Sequence, residues 1–200
     1  MTANDIPACR RYAAAVLLGV MSLAVQASEN TAHGGGEPAA RIRSEPPARP
    51  DVRAQLAAMN KVSFMLGEWE GSGWVMQGQR RVSFRQTESV RSDLGGLIVQ
   101  VDGRGFVAGS PPDAKPVFEA FGVISYDDRS DAYEFRSYAN GYASTSVAEA
   151  LDEGGFQWQT GPVRYRVWLD DDGNWFEIGE RRSGGNDWVQ FFEMTLTRID

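Results

Sequence analysis

The 200-residue chain is 42% hydrophobic and 11% aromatic, which suffices for one folded domain with a substantial core. It carries 20 Lys and Arg against 27 Asp and Glu, giving a formal net charge of −7 at pH 7. Because an acidic surface repels phosphate backbones, this charge argues against general nucleic-acid binding.

The first 27 residues have the pattern of a signal peptide. Arg10 and Arg11 supply a positive region, and residues 13–25 form an apolar stretch that is short for a bilayer span. Val25-Gln26-Ala27 places small residues where a signal peptidase reads them, so the mature chain is expected to start at Ser28. An uncleaved membrane anchor is the alternative. Cleavage predicts a secreted or periplasmic protein with no stable membrane anchor.

The only cysteine, Cys9, precedes the apolar stretch, whereas the cysteine of a lipoprotein would follow it. Cleavage would therefore leave a mature chain without a thiol. We expect no disulfide, no thiol nucleophile and no thiolate ligand in the folded domain.

Residues 28–50 are predicted to be a linker. Three glycines at 34–36 and the proline-rich run at 45–50 favour neither packing nor regular pairing. A short helix is expected over Asp51–Met59, because Asp51 can cap it and Val52, Leu56 and Met59 fall on one face. Such a helix would cover one end of the domain that follows.

Beyond the helix, short runs of alternating apolar and polar residues are separated by turn residues, as in all-β domains. No helix-length period interrupts them, which excludes βαβ architecture, and no fixed-period repeat is visible. The sequence predicts an all-β domain over residues 51–200: a single antiparallel up-and-down β-barrel of about ten strands with a short N-terminal helix. The predicted strands are Glu68–Met76, Arg81–Val90, Gly96–Phe106, Val117–Tyr126, Ala132–Tyr138, Tyr142–Leu151, Phe156–Thr160, Val163–Asp170, Asn174–Arg182 and Trp188–Arg198.

The dipeptide Asp172-Gly173 predicts a hairpin with a two-residue type I′ turn. That turn pairs Leu169 with Phe176, Val167 with Ile178, and Tyr165 with Glu180. The opposite face pairs Asp170 with Trp175 and Trp168 with Glu177. Because the first set is more uniformly apolar, it is expected to face the interior, which carries Glu180 inward beside Tyr165.

Side chains that usually bind metals or carry catalysis are scarce. The sole histidine, His33, lies in the predicted linker, so no Ser-His-Asp, Cys-His or histidine–zinc group can form inside the domain. The acidic run 170–174 is not an EF-hand loop, because Arg181 stands where the final Glu is required. We therefore expect no metal site and no cofactor.

Strand alternation predicts which side chains line the barrel. Val82, Phe84, Gln86, Glu88 and Val90 share one face, and the apolar members mark it as the inner one. Glu88 is then an interior acid near a barrel opening. The residues predicted to line a ligand-binding pocket are Phe84, Gln86, Glu88, Phe121, Tyr165, Val167, Phe176, Ile178, Glu180, Phe192 and Met194.

Residues 64–198 resemble the lipocalin-like barrels of the calycin type. Gly67-Glu68-Trp69 matches the Gly-x-Trp at the start of their first strand, and Arg198 falls where that group places an arginine against the tryptophan. Within the group, residues 66–71, 121–127 and 192–198 are most similar to an uncharacterised secreted bacterial lipocalin-like family. The resemblance implies a structural Trp69–Arg198 pair at one barrel end and a small-molecule pocket. The related nitrobindins bind haem through a late histidine that this sequence lacks, so haem binding is not expected.

Together these patterns favour non-covalent binding of a small, partly apolar molecule in the barrel. A barrel filled by its own side chains, acting as a structural or interaction module, is one alternative. The other is a hydrolase or isomerase that uses Glu88 or Glu180 as acid or base beside Tyr165. The sequence does not indicate an oligomeric state.

Overall fold

The computed structural model describes residues 49–185 and 187–200. The predicted signal peptide and all but the last two residues of the predicted linker lie outside the described residues. A short helix, α1 (Val52–Asn60), precedes ten strands. The strands are β1 (Gly67–Gln77), β2 (Arg80–Asp93), β3 (Ile98–Val107), β4 (Phe118–Asp127), β5 (Ala132–Ala139), β6 (Tyr142–Ala150), β7 (Phe156–Thr160), β8 (Val163–Leu169), β9 (Trp175–Arg182) and β10 (Trp188–Arg198).

The ten strands form one closed antiparallel barrel, in which each strand pairs with its neighbours in the chain and β1 also pairs with β10. The predicted fold class, an up-and-down barrel with a short N-terminal helix, is confirmed. Most strand boundaries lie close to the predicted ones. The largest differences lie where β2 is followed by β3. Strand β2 continues three residues past its predicted end, to Asp93, and β3 begins two residues later than predicted, at Ile98, because Leu94–Gly96 form a 3₁₀ turn with Gly95 at φ 70°.

Helix α1 covers the barrel end at which β4 meets β5. Asp51 caps the helix by accepting hydrogen bonds from the backbone N–H groups of Arg53 and Ala54. The Tyr133 hydroxyl donates to the carbonyl of Ala58 at 2.7 Å, which ties the helix to β5. Across residues 49–185 and 187–200, no helix is long and apolar enough to cross a membrane.

The buried face of α1 differs from the predicted one. Val52 and Leu56 are 44% and 38% exposed, whereas Ala58 and Met59 are buried together with Val62 just beyond the helix. The C-terminal turn of the helix therefore makes the main contact with the barrel core.

The predicted register of the β8–β9 hairpin is wrong by one residue on β9. Leu169 pairs with Trp175, Val167 with Glu177 and Tyr165 with Gly179. The loop has three residues rather than two, because Asp170 closes it against Asn174, donating its N–H to the Asn174 carbonyl at 2.9 Å. The Asp170 carboxylate also accepts from the N–H groups of Asp172 and Asn174, which stabilises the longer loop.

This shift exchanges the two faces of β9. Trp175, Glu177 and Gly179 are buried inside the barrel, while Phe176, Ile178 and Glu180 lie on the outer face. On β8 the inward set is as predicted, with Tyr165 and Val167 buried. The inward placement of Phe176, Ile178 and Glu180 is therefore wrong, and an acid that the prediction placed outside, Glu177, lies in the core.

The interior is crowded on one side and open on the other. Large side chains from the strands around β1 and β8–β10 fill one side, including Trp69, Trp175 and Phe192. Near the middle of β3–β6, the inward positions carry small residues instead. These are Gly103, Ala120, Gly122, Ser137, Ser144 and Ser146.

Candidate functional site

An internal cavity of about 60 Å³ lies between the aromatic side of the barrel and the small residues of β3–β6. Its buried end contains two acids, Glu88 and Glu177, which are 3% and 1% exposed. It extends past Ser146 to Thr160, an exposed residue at the end of β7 on the barrel end away from α1. The remaining lining is Met65, Val101, Gly103, Ala120, Phe121, Gly122, Ile124, Phe135, Ser137, Phe156, Trp158, Val163, Tyr165 and Trp175.

Glu88 is held by β2 beneath two glycines of β3. Its Oε1 accepts a hydrogen bond from Gln86 Nε2 at 2.7 Å, and its Oε2 has no hydrogen-bond partner among the described residues. Gly103 pairs with Glu88 across the strands, and a Cβ at Gly103 would lie 2.7 Å from Glu88 Oε2. Gly105 gives the same room to Gln86. A side chain at Gly103 would collide with the acid, so the glycine creates the space that Glu88 occupies.

Glu177 reaches the same cavity from β9. Its Oε2 accepts a hydrogen bond from Trp175 Nε1 at 3.1 Å, and its Oε1 has no hydrogen-bond partner in the described part of the chain. The Trp175 ring packs edge-on against Trp69, with 5.7 Å between the ring centroids. Each of the two acids therefore accepts a hydrogen bond from one neutral N–H group, and its other oxygen has no hydrogen-bond partner among the described residues.

Burial raises the pKa of both carboxyls. Loss of solvation is the largest cause of the rise of the Glu88 pKa to about 8, which the Gln86 hydrogen bond opposes and the negative charge of Asp102 reinforces. The pKa of Glu177 is raised well above its ordinary value, first by burial and then by the nearby charge of Glu88. The two acids thus share one poorly solvated space, in which the protonated form of each carboxyl is favoured.

The cavity contains no positive side chain to compensate the acids. Its described lining has no lysine, arginine or histidine. The charged residues that are buried in the described part of the chain are Glu88 and Glu177 alone. Over the same residues, no group of three or more His, Cys, Asp or Glu side chains is arranged to hold a metal ion.

Of the eleven predicted lining residues, seven lie inside the barrel, and two of these seven, Glu88 and Tyr165, border the cavity. The Tyr165 ring stacks on Trp158 with 5.3 Å between centroids. The other five inward residues fill the core beside the cavity. They are Phe84, Gln86, Val167, Phe192 and Met194.

The remaining four predicted lining residues have side chains on the outer face. Phe121 borders the cavity between the inward residues Ala120 and Gly122, but its own side chain follows the outward set of β4 and is 37% exposed. The other three are Phe176, Ile178 and Glu180, which lie on the outer face because the register of β9 differs by one residue from the predicted one. The predicted pairing of Glu180 with Tyr165 as acid and base is therefore wrong.

On the outer face, Glu180 forms ion pairs with two arginines of β8. Its Oε2 lies 2.8 Å from Arg164 Nε and 3.1 Å from Arg166 Nη2. Burial alone would raise the pKa of Glu180, but hydrogen bonds from Arg164 and the charges of both arginines outweigh it and lower the pKa. This carboxylate stays ionised, and its ion pairs link β9 to β8 on the outside of the barrel.

The interior acid that the sequence reasoning missed is Glu177. The missing signal is the loop length, because an Asp-Gly pair fits both two-residue and three-residue hairpin loops. With a three-residue loop, Trp175 and Glu177 fall on the same face as Tyr165 and Val167. The predicted lining also lacked the cavity aromatics Trp158 and Phe135, which occupy inward positions of β7 and β5.

At the α1 end of the barrel, the structure brings Trp69 and Arg198 together. They pair across β1 and β10, and the Arg198 guanidinium lies 4.2 Å from the centroid of the Trp69 ring. Arg198 Nη1 also donates to the carbonyl of Leu66. Gly67 has φ 131°, and a Cβ there would overlap Arg198 Nη1, which explains physically why a glycine precedes this tryptophan by two positions.

These features define a closed β-barrel with a small, acid-containing internal cavity. A solved structure with a similar fold is the crystal structure of Rv2717c from M. tuberculosis, at a TM-score of 0.52 and 13% sequence identity. The match covers 72% of this chain and 98% of that one. At this identity the likeness concerns the fold. No protein-family model matches the sequence, and the comparison with curated proteins gave no match.

Proposed function

We propose that the barrel binds a small, partly apolar molecule non-covalently in the internal cavity. The observation that carries this proposal is the pair of unpartnered carboxyl oxygens, Glu88 Oε2 and Glu177 Oε1, at the buried end of a mainly apolar space. Buried polar atoms are nearly always hydrogen-bonded, and leaving one unsatisfied costs roughly 1–3 kcal/mol. A ligand that bonds to these oxygens would remove that cost.

The size of the cavity limits what enters it. An apolar cavity of about 150 Å³ is large enough for benzene. A space of about 60 Å³ therefore suits a group of a few heavy atoms, with any larger part of the molecule extending towards Thr160. The Ser137 and Ser146 hydroxyls along the way suit a ligand with some polar character.

Binding in this cavity predicts that blocking it from within abolishes retention of the ligand. Ala120 faces the cavity from β4, so Ala120→Leu would place a larger side chain in the space. Ala143→Leu makes the same change at an exposed position of β6 and is the matched control. Native mass spectrometry of protein purified from its own source cells should show a retained small molecule on the wild-type chain and on Ala143→Leu, but not on Ala120→Leu.

If all three proteins carry the same mass as the bare chain, and none binds a small-molecule panel in solution, the barrel is a filled structural or interaction module. If Ala120→Leu retains the same bound molecule as the wild type, binding takes place elsewhere on the chain. Both results would overturn the proposal.

We also propose that the protein is exported, to the periplasm or beyond, and that it belongs with the secreted lipocalin-like barrels it resembles. The support for export is the charged and apolar pattern of residues 1–27 and the Val25-Gln26-Ala27 site. The support for the family is the Gly67-Glu68-Trp69 motif together with the Trp69–Arg198 contact. A small-molecule carrier or sensor of the cell envelope would be consistent with both.

A further inference from the structure

We infer that the ligand class of the cavity is a small organic cation, a primary ammonium group on a short apolar body, held between Glu88 and Glu177. This inference rests on the proposed function and adds the charge of the ligand to it. The ammonium group would donate hydrogen bonds to the oxygens that lack partners, Glu88 Oε2 and Glu177 Oε1.

The first argument is the lack of a counter-charge. Acids buried this deeply in proteins are normally paired with a cation or bound to a metal. Here the donors to the two carboxyls, Gln86 Nε2 and Trp175 Nε1, are both neutral. No lysine, arginine or histidine lines the described cavity, so a positive ligand would be the cation that lets these buried carboxyls ionise.

The second argument is the aromatic surround. The indole rings of Trp158 and Trp175, together with the ring of Tyr165, line the same cavity as the acids. Ring faces attract cations, most strongly when the cation is desolvated, and aromatic groups with acids are a recurrent way to bind organic ammonium ions. The remaining lining is largely apolar, which suits the hydrocarbon part of the molecule.

The chemistry of the cavity disfavours other occupants. An anion would meet two carboxyls and no positive group. A divalent metal ion prefers six or more oxygen ligands or a set of nitrogen and sulfur ligands, and the described residues offer no group of three or more metal-binding side chains here. A neutral molecule could also form hydrogen bonds with the protonated acids. The experiment must therefore distinguish binding of a cation from binding of a neutral molecule of the same size.

Binding of a cation would change the protonation of the acids. The titratable groups around Glu88 are Glu177 from β9, Asp102 from β3 and the Tyr165 phenol from β8. Strand β1 contributes the uncharged Trp69, which pairs with Glu88 across the two strands. A bound ammonium ion favours the ionised carboxylates, so a proton should leave as the cation enters. Affinity for the cation should therefore rise with pH between about 6 and 8.

The test uses three probes of nearly equal size: n-butylammonium chloride, 1-butanol and sodium butanoate, at pH 8 and constant ionic strength. The readout is the set of indole N–H signals in ¹H–¹⁵N spectra. Trp175, which donates to Glu177, and Trp158 report on the cavity, while Trp74, Trp168 and Trp188 lie on the outer face and serve as references. We expect saturable shifts of Trp175 and Trp158 with butylammonium, at an affinity at least tenfold above that of butanol, and no binding of butanoate.

Two variants each replace one ionisable carboxyl by a neutral amide of nearly the same size. Glu88→Gln and Glu177→Gln should each weaken butylammonium binding at least tenfold and change butanol binding less than twofold. Glu149→Gln removes an exposed carboxylate from the outer face of β6 and should leave all three affinities unchanged. Calorimetry of butylammonium binding at pH 7, in buffers of different ionisation enthalpy, should show release of about one proton.

Two results would overturn the inference. If butanol binds as tightly as butylammonium, or if the two Glu→Gln variants bind the cation like wild type, the cavity binds ligands but has no cation preference. In that case ligand binding in the cavity, the proposed function, is supported, and the inference about the charge of the ligand is wrong. If none of the three probes gives a saturable shift, the inference fails, and the native mass spectra alone then decide the proposed function.

Discussion

The buried carboxyl of Glu88 makes the stability of the barrel depend on pH in the direction opposite to that of a salt-bridged acid. Its pKa is about 8 in the folded chain against 4.5 for the free group. Below pH 4.5 the proton is bound in both states, and above about pH 8 it is lost from both. Between these values the unfolded chain loses its proton first, so the contribution of Glu88 to folding stability falls as the pH rises.

Glu88→Gln should therefore gain stability relative to wild type as the pH rises. Each pH unit between 4.5 and 8 is worth up to about 1.4 kcal/mol for one retained proton. We expect the difference between variant and wild type to shift by ~2–4 kcal/mol in favour of the variant from pH 5 to pH 8. Urea unfolding at the two pH values measures it, with Glu149→Gln as the exposed control. A difference that is the same at both pH values would contradict the burial of a protonated acid.

Trp69 and Arg198 allow a second test at the level of single residues. Trp69 is 1% exposed, and truncation of such a residue costs roughly 3–5 kcal/mol. An arginine over an indole contributes ~0.5–2 kcal/mol. Trp69→Ala should therefore destabilise the protein more than Arg198→Ala, and the two effects should not add in a double-mutant cycle.

Trp168 provides the matched tryptophan for that cycle. It lies on the outer face of β8 against Phe176, with 5.0 Å between the ring centroids. Trp168→Ala should cost clearly less than Trp69→Ala in denaturant unfolding. Strict additivity of Trp69→Ala and Arg198→Ala, with Trp168 as the costlier tryptophan, would show that the barrel end is not closed by this contact.

Among the elements, the β8–β9 hairpin decides which acids enter the core. The strands themselves were predictable from alternation and turn residues, but the pairing of β8 with β9 was not. Both faces of β9 carry large side chains, since Trp175 and Glu177 alternate with Phe176 and Ile178. The alternation of polar and apolar residues therefore does not distinguish the two registers. One extra residue in the loop exchanges the inward and outward faces of β9.

The three-residue loop depends on Gly173, which has φ 79°. Gly173→Ala should cost about 1 kcal/mol, because a residue with a Cβ is strained in this region of backbone conformation. Gly184, in the next hairpin loop, also has open space around it and no such φ, so Gly184→Ala should change stability little. Thermal unfolding of the two variants gives the comparison. Equal stability of both variants would mean that the loop adopts another conformation.

At the scale of the whole molecule, the size of the free interior limits the ligands. The barrel is closed by ten strands and is filled on one side by aromatic side chains, which leaves about 60 Å³. A haem macrocycle is far larger than this space, and residues 49–200 contain no histidine to ligate its iron. Protein purified after haem supplementation should show no stoichiometric Soret band. A well-resolved stoichiometric band would show that Tyr or Met ligation and a large opening of the barrel occur.

The second prediction for the whole chain concerns export. Because the apolar stretch at 13–25 is followed by Val25-Gln26-Ala27, we expect signal peptidase to cleave after Ala27. N-terminal sequencing of the exported protein should begin at Ser28. Recovery of the chain with Met1 still in place, or with a lipid attached, would contradict this processing.

The sequence by itself determined the architecture. Period-two alternation, regular turn residues and the absence of helix-length patterns define an antiparallel barrel, and the motif at Gly67-Glu68-Trp69 located its end. Alternation on β2 also identified Glu88 as an interior acid, since its apolar neighbours Phe84 and Val90 leave one choice of inner face. These features are local, because each depends on residues close together in the chain.

Only the tertiary structure decided the partner of that acid. Glu177 lies 89 positions from Glu88 in the chain. The two reach one cavity because a three-residue loop sets the register of β9 and because closure of the barrel leaves only β1 and β10 between β2 and β9. The free space depends in turn on small residues spread over β3–β6, none of which is informative alone. A site that is built from several strands is set by register and packing between distant segments, and these are not local properties of the sequence.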